Sequence, residues 1–209
     1  MIEEVQLTDG TPAWVAPLQR GDKERLAEEF RKLSPESRRL RFLTPITHLS
    51  DQMLTHLVDD VDWIDHIAFV LLVGSEEDPE PIAIARMVRY PTVPDAADLA
   101  VTVKDDWQGR GAASALLPVV MKHRPEGVTH LLTEVSADNP ASLAMLARLG
   151  PVTTHDAGFG VYDVDVDLTG DGEVHPEADP SAERLHPVLA EAERLYFRTR
   201  DAMCSWLNA

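Results

Sequence analysis

Hydrophobic positions along the chain change their spacing several times, and each change marks an element. Residues 4–7 and 13–18 read as two short extended pieces around the turn-like Asp9-Gly10-Thr11-Pro12, which predicts a hairpin or an extended entry strand. From Asp22 the pattern is helical: Leu26, Phe30 and Leu33 recur at three- and four-residue spacing, and Glu24 sits near the positive end of the helix dipole. Ser34 caps a second helix, with Pro35 at the first position, where the missing amide proton would have had no partner. A third helix is predicted over residues 50–58, with Met53, Leu54, Leu57 and Val58 facing inward.

The middle of the chain is β-rich. Residues 67–73 and 82–88 form apolar runs joined as a hairpin by the polar residues 74–81, and a third strand, 98–103, follows the break at 91–94. Helix returns after Gly111, followed by a strand at 128–135, a helix at 140–149 and closing strands near 152–155 and 159–168. Helices, an antiparallel meander and then β-α-β-α-β give an α/β order. These elements make one domain over residues 1–168. Residues 169–183, with Gly170, Gly172, Pro176, Pro180 and several acidic side chains, read as a solvated linker. In residues 184–207, Leu185, Val188, Leu189, Ala192, Leu195, Tyr196, Met203 and Trp206 recur at helical spacing and predict an amphipathic helix. Its apolar face needs a cover, for which the chain's own domain, a homodimer contact and a lid over the site all remain open.

Composition narrows the class of function. Nineteen basic against 36 acidic residues among 209 give a net charge of −17, which repels phosphate backbones and argues against nucleic-acid binding. The longest apolar run, 67–73, is too short to cross a bilayer, so no membrane role is expected. The opening Met-Ile-Glu-Glu has neither a basic head nor an apolar stretch, so no signal peptide is visible. Cys204 is the only cysteine, which excludes an internal disulfide and suits a cytoplasmic protein.

The candidate chemistry lies in Asp98-Leu-Ala-Val-Thr-Val-Lys-Asp-Asp-Trp-Gln-Gly-Arg-Gly-Ala-Ala113, a strand that runs through a small-residue turn into a helix. Such a turn can aim several backbone amides at one point, and the unpaired N-terminal amides of the next helix favour a phosphate there. Gly109 and Gly111 permit unusual dihedrals and close approach of a ligand. Neither a Walker pattern nor a dinucleotide GxGxxG is present.

Gln108-Gly-Arg-Gly-Ala-Ala113 resembles the Q/R-x-x-G-x-G/A signature of the GNAT acetyltransferase superfamily. Asn139-Pro-Ala-Ser-Leu-Ala-Met-Leu-Ala-Arg-Leu-Gly150 resembles that superfamily's next motif, and the two stand in the right order and spacing. The likeness covers roughly residues 12 to 168. Two further segments, Leu33-Ser-Pro-Glu-Ser-Arg-Arg-Leu-Arg-Phe42 and Val61-Asp-Trp-Ile-Asp-His-Ile-Ala68, resemble parts of bacterial protein lysine acetyltransferases. The resemblance implies a GNAT fold: α/β in the α+β sense, a mixed, mostly antiparallel twisted sheet of about six or seven strands flanked by helices, here with a C-terminal helical extension. It implies an enzyme that moves the acetyl group of acetyl-CoA to a primary amine by direct attack, without a metal. The acceptor would be a protein lysine, or a small-molecule amine.

Carried over by position, the resemblance implies that the backbone of Val101, Thr102 and Val103 holds the pantetheine arm, one amide polarising the thioester carbonyl. Gln108, Gly109, Arg110, Gly111, Ala112 and Ala113 would grip the pyrophosphate. Asn139 would bond near the pantetheine, or act only as a helix N-cap. Asp98 stands where related enzymes keep a glutamate base; one methylene shorter, it would work through a bridging water, or it is only an aspartate at a strand edge. Leu146 replaces the superfamily's tyrosine acid, Pro118 interrupts the helix after the loop, where a kink is expected, and Pro151 follows Gly150. These departures keep a second reading open, a catalytically degenerate acyl-CoA-binding or protein-interaction module.

Several residues carry weaker signals. Arg31, Lys32, Arg38, Arg39 and Arg41 form a basic cluster, read either as a solvated helix face paired with Glu28, Glu29 and Glu36 or as a place for the coenzyme's 3′-phosphate or an acidic substrate. His48, His56 and His66 do not fall at metal-ligand spacing, and His66 reads as a structural histidine or as a second base. Trp107 is expected to pack under the loop, with stacking on adenine as the other use. Cys204 reads as a small apolar residue of the terminal helix.

Overall fold

A computed structural model describes residues 2–75 and 77–170. The predicted linker beyond Gly170 and the C-terminal helix, with Cys204, lie outside the described residues. Eight strands form one mixed sheet in the order β1-β2-β3-β4-β5-β6-β8-β7. They are β1 (Glu3–Gln6), β2 (Pro12–Pro17), β3 (His66–Gly74), β4 (Pro79–Tyr90), β5 (Val93–Val103), β6 (His130–Ser136), β7 (Val152–Gly158) and β8 (Val161–Asp167). Each corresponds to a segment that the hydrophobic pattern marks, although the family likeness implies only about six or seven. β5 and β6 pair in parallel; β1/β2, β2/β3, β3/β4, β6/β8 and β7/β8 are antiparallel.

The helices are α1 (Lys23–Lys32), α2 (Pro35–Phe42), α3 (Asp51–Leu54), α4 (Ala112–Lys122) and α5 (Pro140–Leu146). Their starts follow from side-chain chemistry. Ser34 accepts from the Ser37 amide at 3.1 Å and Ser50 from the Met53 amide at 3.2 Å, so each hydroxyl satisfies one orphan donor. α2 ends at Leu43 in the left-handed region, with φ of 51°. The predicted third helix is split: after α3 the chain widens into a π-helical turn over Thr55–Asp59, closed by the Asp60 amide on the Thr55 carbonyl at 3.1 Å. α4 stays helical through Pro118 to Lys122.

Contacts divide the described residues into two compact units: those up to Arg89 with Leu99–Gly127, and Tyr90–Asp98 with those from Val128 to Gly170. In the first, α1, α2, α3 and β3 share a core built on Phe30, Leu33, Leu54, Val58 and Ala68. β3 is buried along most of its length and reads as a continuous apolar run, as a strand covered on both faces must. In the second, Ala96 of β5 and Leu132 of β6 pack with Tyr90 and Val93. Among the described residues, no helix is long and apolar enough to cross a membrane.

Candidate active site

The loop between β5 and α4 belongs to the first unit, and its shape is set from outside its own sequence. After β5 the chain makes a 3-10 turn over Asp105–Trp107, extends at Gln108, and enters α4 through Gly109 (φ 73°) and Gly111 (φ 88°), both in the region that favours glycine. The Arg110 carbonyl accepts two hydrogen bonds from Thr8, one from its amide at 3.2 Å and one from Oγ1 at 2.8 Å. In a trans peptide the carbonyl and the next N–H point opposite ways, so holding the Arg110 oxygen against Thr8 turns the Gly111 N–H away from the hairpin. A Cβ on Gly111 would stand 2.6 Å from the Thr8 side chain, so only glycine allows this approach.

The result is a row of donors. Among the described residues, the amides of Gly109, Arg110, Gly111, Ala112 and Ala113 have no acceptor, and those at the start of α4 lie at the positive end of its dipole. That suits a pyrophosphate. The side chains in the loop do something else. Arg110 pairs with Asp9 at 2.7 Å, and its guanidinium lies 4.1 Å from the centre of the Trp107 ring. Trp107 thus supports the loop, one of its two expected roles. Hydrogen bonds from the Thr11 hydroxyl and amide, then from Arg110, hold the Asp9 carboxyl down to about 2. Gln108 donates to Ser37 Oγ at 3.1 Å and to the Val103 carbonyl at 3.3 Å, so it ties the end of β5 to α2.

Asp105 completes the frame. Its carboxylate accepts from the Ser34 amide at 2.9 Å, the Ser34 hydroxyl at 2.7 Å and the Ser37 hydroxyl at 2.7 Å. Partial burial would raise its pKa, but these hydrogen bonds outweigh burial and lower it. The strand predicted to carry the pantetheine arm, Val101, Thr102 and Val103, is half-buried at the end of β5, and the parallel ladder to β6 takes in Ala96 and Ala97.

Asp98 and Asn139 belong to the second unit. Asp98 is half-buried, and Thr133 of β6 donates to its Oδ1 at 2.7 Å, which orients the carboxylate. Tyr90 donates to the Leu132 carbonyl at 2.9 Å, and burial, then the charge of Asp98, pushes its pKa well above the usual phenol value. It stays a protonated structural donor. Asn139 caps α5: Oδ1 accepts from the Ser142 amide at 3.1 Å and Nδ2 donates to Ser142 Oγ at 2.8 Å. Leu146, 1% exposed, is a core residue of α5, and Gly150 sits against the Asp167 carbonyl where a Cβ would collide.

The remaining sequence candidates divide. His66 is 4% exposed, and its Nε2 faces Arg86 Nη1 at 3.1 Å, so the ring must accept there as a neutral Nδ1–H tautomer. Burial, then the charges of Arg86 and His56, lower its pKa to about 4. A base whose lone pair is already bonded is poorly placed to take a substrate proton, and the structural reading of His66 fits the geometry. Within the basic cluster, Lys32 pairs with Glu29 at 2.6 Å and Arg39 with Glu36 at 2.8 Å. Sequence reasoning missed Thr8, Asp9 and Thr133, each a small polar residue that gains its role from a distant strand or loop; the Asp9-Gly10 turn was the only signal for any of them.

Known proteins resemble this chain in sequence and in fold. The family described as Acetyltransferase (GNAT) matches residues 34–150. An acetyltransferase of Pseudomonas aeruginosa is 32% identical over 155 residues, 72% of this chain and 80% of that protein. Acetyltransferase Pat of Mycolicibacterium smegmatis is 32% identical over 164 residues, 78% of this chain but 48% of that protein, so the chain spans about half its length. The crystal structure of the GNAT domain of S. lividans PAT superposes with a TM-score of 0.70 at 30% identity, covering 80% of this chain and 97% of that one. With the donor-lined turn between strand and helix and the matched motifs in agreement, the chain belongs to the GNAT family, as an acyl-CoA-dependent acetyltransferase with acetyl-CoA as donor and an amine as acceptor.

Proposed function

We propose that the acceptor is the side-chain amine of lysine in a protein, and that Asp98 receives its proton. The observation that carries the donor half is the row of unengaged amides from Gly109 to Ala113 at the head of α4, which supports binding of the pyrophosphate through backbone rather than through the Gln108 or Arg110 side chains. The acceptor half is supported by the likeness of residues 33–42 and 61–68 to protein lysine acetyltransferases, and by a net charge of −17, which attracts lysine-bearing surfaces.

An alkylammonium with a pKa of about 10.4 is almost wholly charged at neutral pH and must lose a proton to attack. The neutral nitrogen then adds to the thioester carbonyl, whose developing oxyanion a backbone amide of Val101 to Val103 would stabilise. The C–N bond forms, the C–S bond breaks, and the second proton, which the nitrogen carries once it has added, passes through water to the departing coenzyme A thiolate, leaving a neutral amide and a free thiol. The amine proton passes through a bridging water to the Asp98 carboxylate, which Thr133 holds in place. The test is incubation with acetyl-CoA and matched panels of lysine peptides, folded proteins and small amines, reading acetyl-lysine by mass spectrometry and thiol release by colour. Acetylation of lysine in peptides or proteins supports the reading; transfer to small amines alone would overturn the acceptor class and leave family membership intact.

A further inference from the structure

A cavity of about 280 Å³ lies in the first unit, lined by residues of α1, α2 and strands β2 to β5. Its floor is a cross-strand row: Ala16 of β2 pairs with Val70 of β3, and Val70 with Ile84 of β4. Leu26, Phe30 and Phe42 supply apolar wall from the helices. The charged groups on the lining are engaged by the protein: Lys104 reaches Glu80 at 2.8 Å and Glu29 at 3.2 Å, and Arg86 donates to the Leu57 carbonyl at 3.0 Å and to His66. Thr102 also lines the cavity, and it is the middle residue of the strand assigned above to the pantetheine arm.

A two-carbon acetyl group does not account for this space. At roughly 30 Å³ for each water-sized unit, it holds a chain of about eight carbons. We propose that the enzyme also takes acyl-CoA donors longer than acetyl, up to about octanoyl, whose hydrocarbon tail passes Thr102 into the cavity over Ala16, Val70 and Ile84. The inference rests on the reading of Val101 to Val103 as the donor strand. The chemistry is unchanged: the amine nitrogen bonds to the acyl carbon, the C–S bond breaks, the thiolate leaves, and the product is the amide of a longer acid.

The test is a donor series from acetyl- through butyryl-, hexanoyl- and octanoyl- to palmitoyl-CoA on the full chain, with Kd by calorimetry and kcat/KM on an accepted amine. Affinity is expected to rise up to about fourfold for each buried methylene as far as octanoyl and to stop rising at palmitoyl. Ala16→Phe, which fills the floor, removes that rise and leaves acetyl transfer unchanged; Val70→Leu is a milder filler should Ala16→Phe unfold. Ile84→Ala moves the limit to longer chains. Affinity independent of chain length overturns the inference. So does an Ala16→Phe variant that loses acetyl and octanoyl transfer equally through the acceptor KM, since the cavity would then belong to the acceptor. Absence of transfer from every donor would defeat the proposed function instead, and the binding series would still decide what the cavity holds.

Discussion

The loop between β5 and α4, in the first unit, and Asp98, in the second, are held in contrasting ways. Around the loop, Thr8 and Asp9 reach Arg110 across about a hundred residues of chain, and Ser34 and Ser37 reach Asp105 across about seventy. Asp98 is oriented by the Thr133 hydroxyl of β6, and Asn139 bonds three residues ahead in its own chain segment. Backbone amides cannot be aimed by their own side chains, so a binding loop made of them needs an external frame. A carboxylate that accepts a proton needs only orientation and access. The two regions should therefore fail differently when cut: the loop through donor affinity, Asp98 through turnover.

The largest effect expected is at Asp98. Asp98→Asn should lower kcat by about a hundredfold or more while changing the KM for acetyl-CoA less than twofold, because a general base contributes some 10²–10⁴ and the donor loop is untouched. Steady-state kinetics with a fixed amine would show it, and an unchanged kcat would remove the carboxylate from the reaction. A large effect is also expected on stability at His66. Its pKa is lowered to about 4 in the fold, so at neutral pH both folded and unfolded rings are uncharged and no penalty exists. As pH falls below about 6.5 the unfolded ring takes a proton that the folded ring refuses, and stability should drop by up to about 1.4 kcal/mol per unit until about pH 4. Urea unfolding of His66→Gln, which keeps an acceptor for Arg86, should lack that part of the acid slope; identical slopes in variant and parent would contradict the buried neutral ring.

How far the sequence reveals these two regions follows from the range of the forces involved. Capping by Ser34 and Ser50, the helical spacing of Leu26 and Phe30 and the glycine turn into α4 are local, and all could be read directly. Strand limits shifted where proline looked like a break. Pro94 stands at the start of β5, where a missing N–H costs little, so the strand begins at Val93 and not at 98. Pro81 falls at the irregularity beside Leu72, so β4 begins at Pro79. The π-helical turn after α3 left no mark in the hydrophobic pattern, since Leu57 and Val58 face inward in either form. Long-range polar pairs were illegible: Thr8 has no helical or strand period to announce it, and nothing local to Gln108 points to Ser37 as a partner.

Thr8 sharpens the contrast at smaller scale. Thr8→Val keeps the shape and removes the hydroxyl donor to the Arg110 carbonyl, so the loop amides lose part of their aim. The KM for acetyl-CoA should rise about five- to tenfold, the value of one hydrogen bond, with kcat within a factor of two. Thr8→Ser should restore the parent KM. A fall in kcat at constant KM would place Thr8 with the chemistry and erase the distinction between the two regions.

The smallest effect is expected at Asn139, where the family motif and the local geometry assign different work. Both polar atoms of its side chain engage Ser142, and a cap that satisfies the first turn of α5 is a sufficient reason for asparagine before Pro140. Asn139→Ala should then cost about 1 kcal/mol in urea unfolding and leave the KM for acetyl-CoA unchanged, and Asn139→Asp, which still accepts from the Ser142 amide, should recover most of that stability. Were Asn139 also a ligand to the pantetheine, the alanine variant would raise KM and the aspartate variant would not rescue it, because a carboxylate cannot replace the amide's N–H donor. Thermal stability and donor KM measured on the same two variants separate the roles, since a helix cap moves the first and a ligand the second.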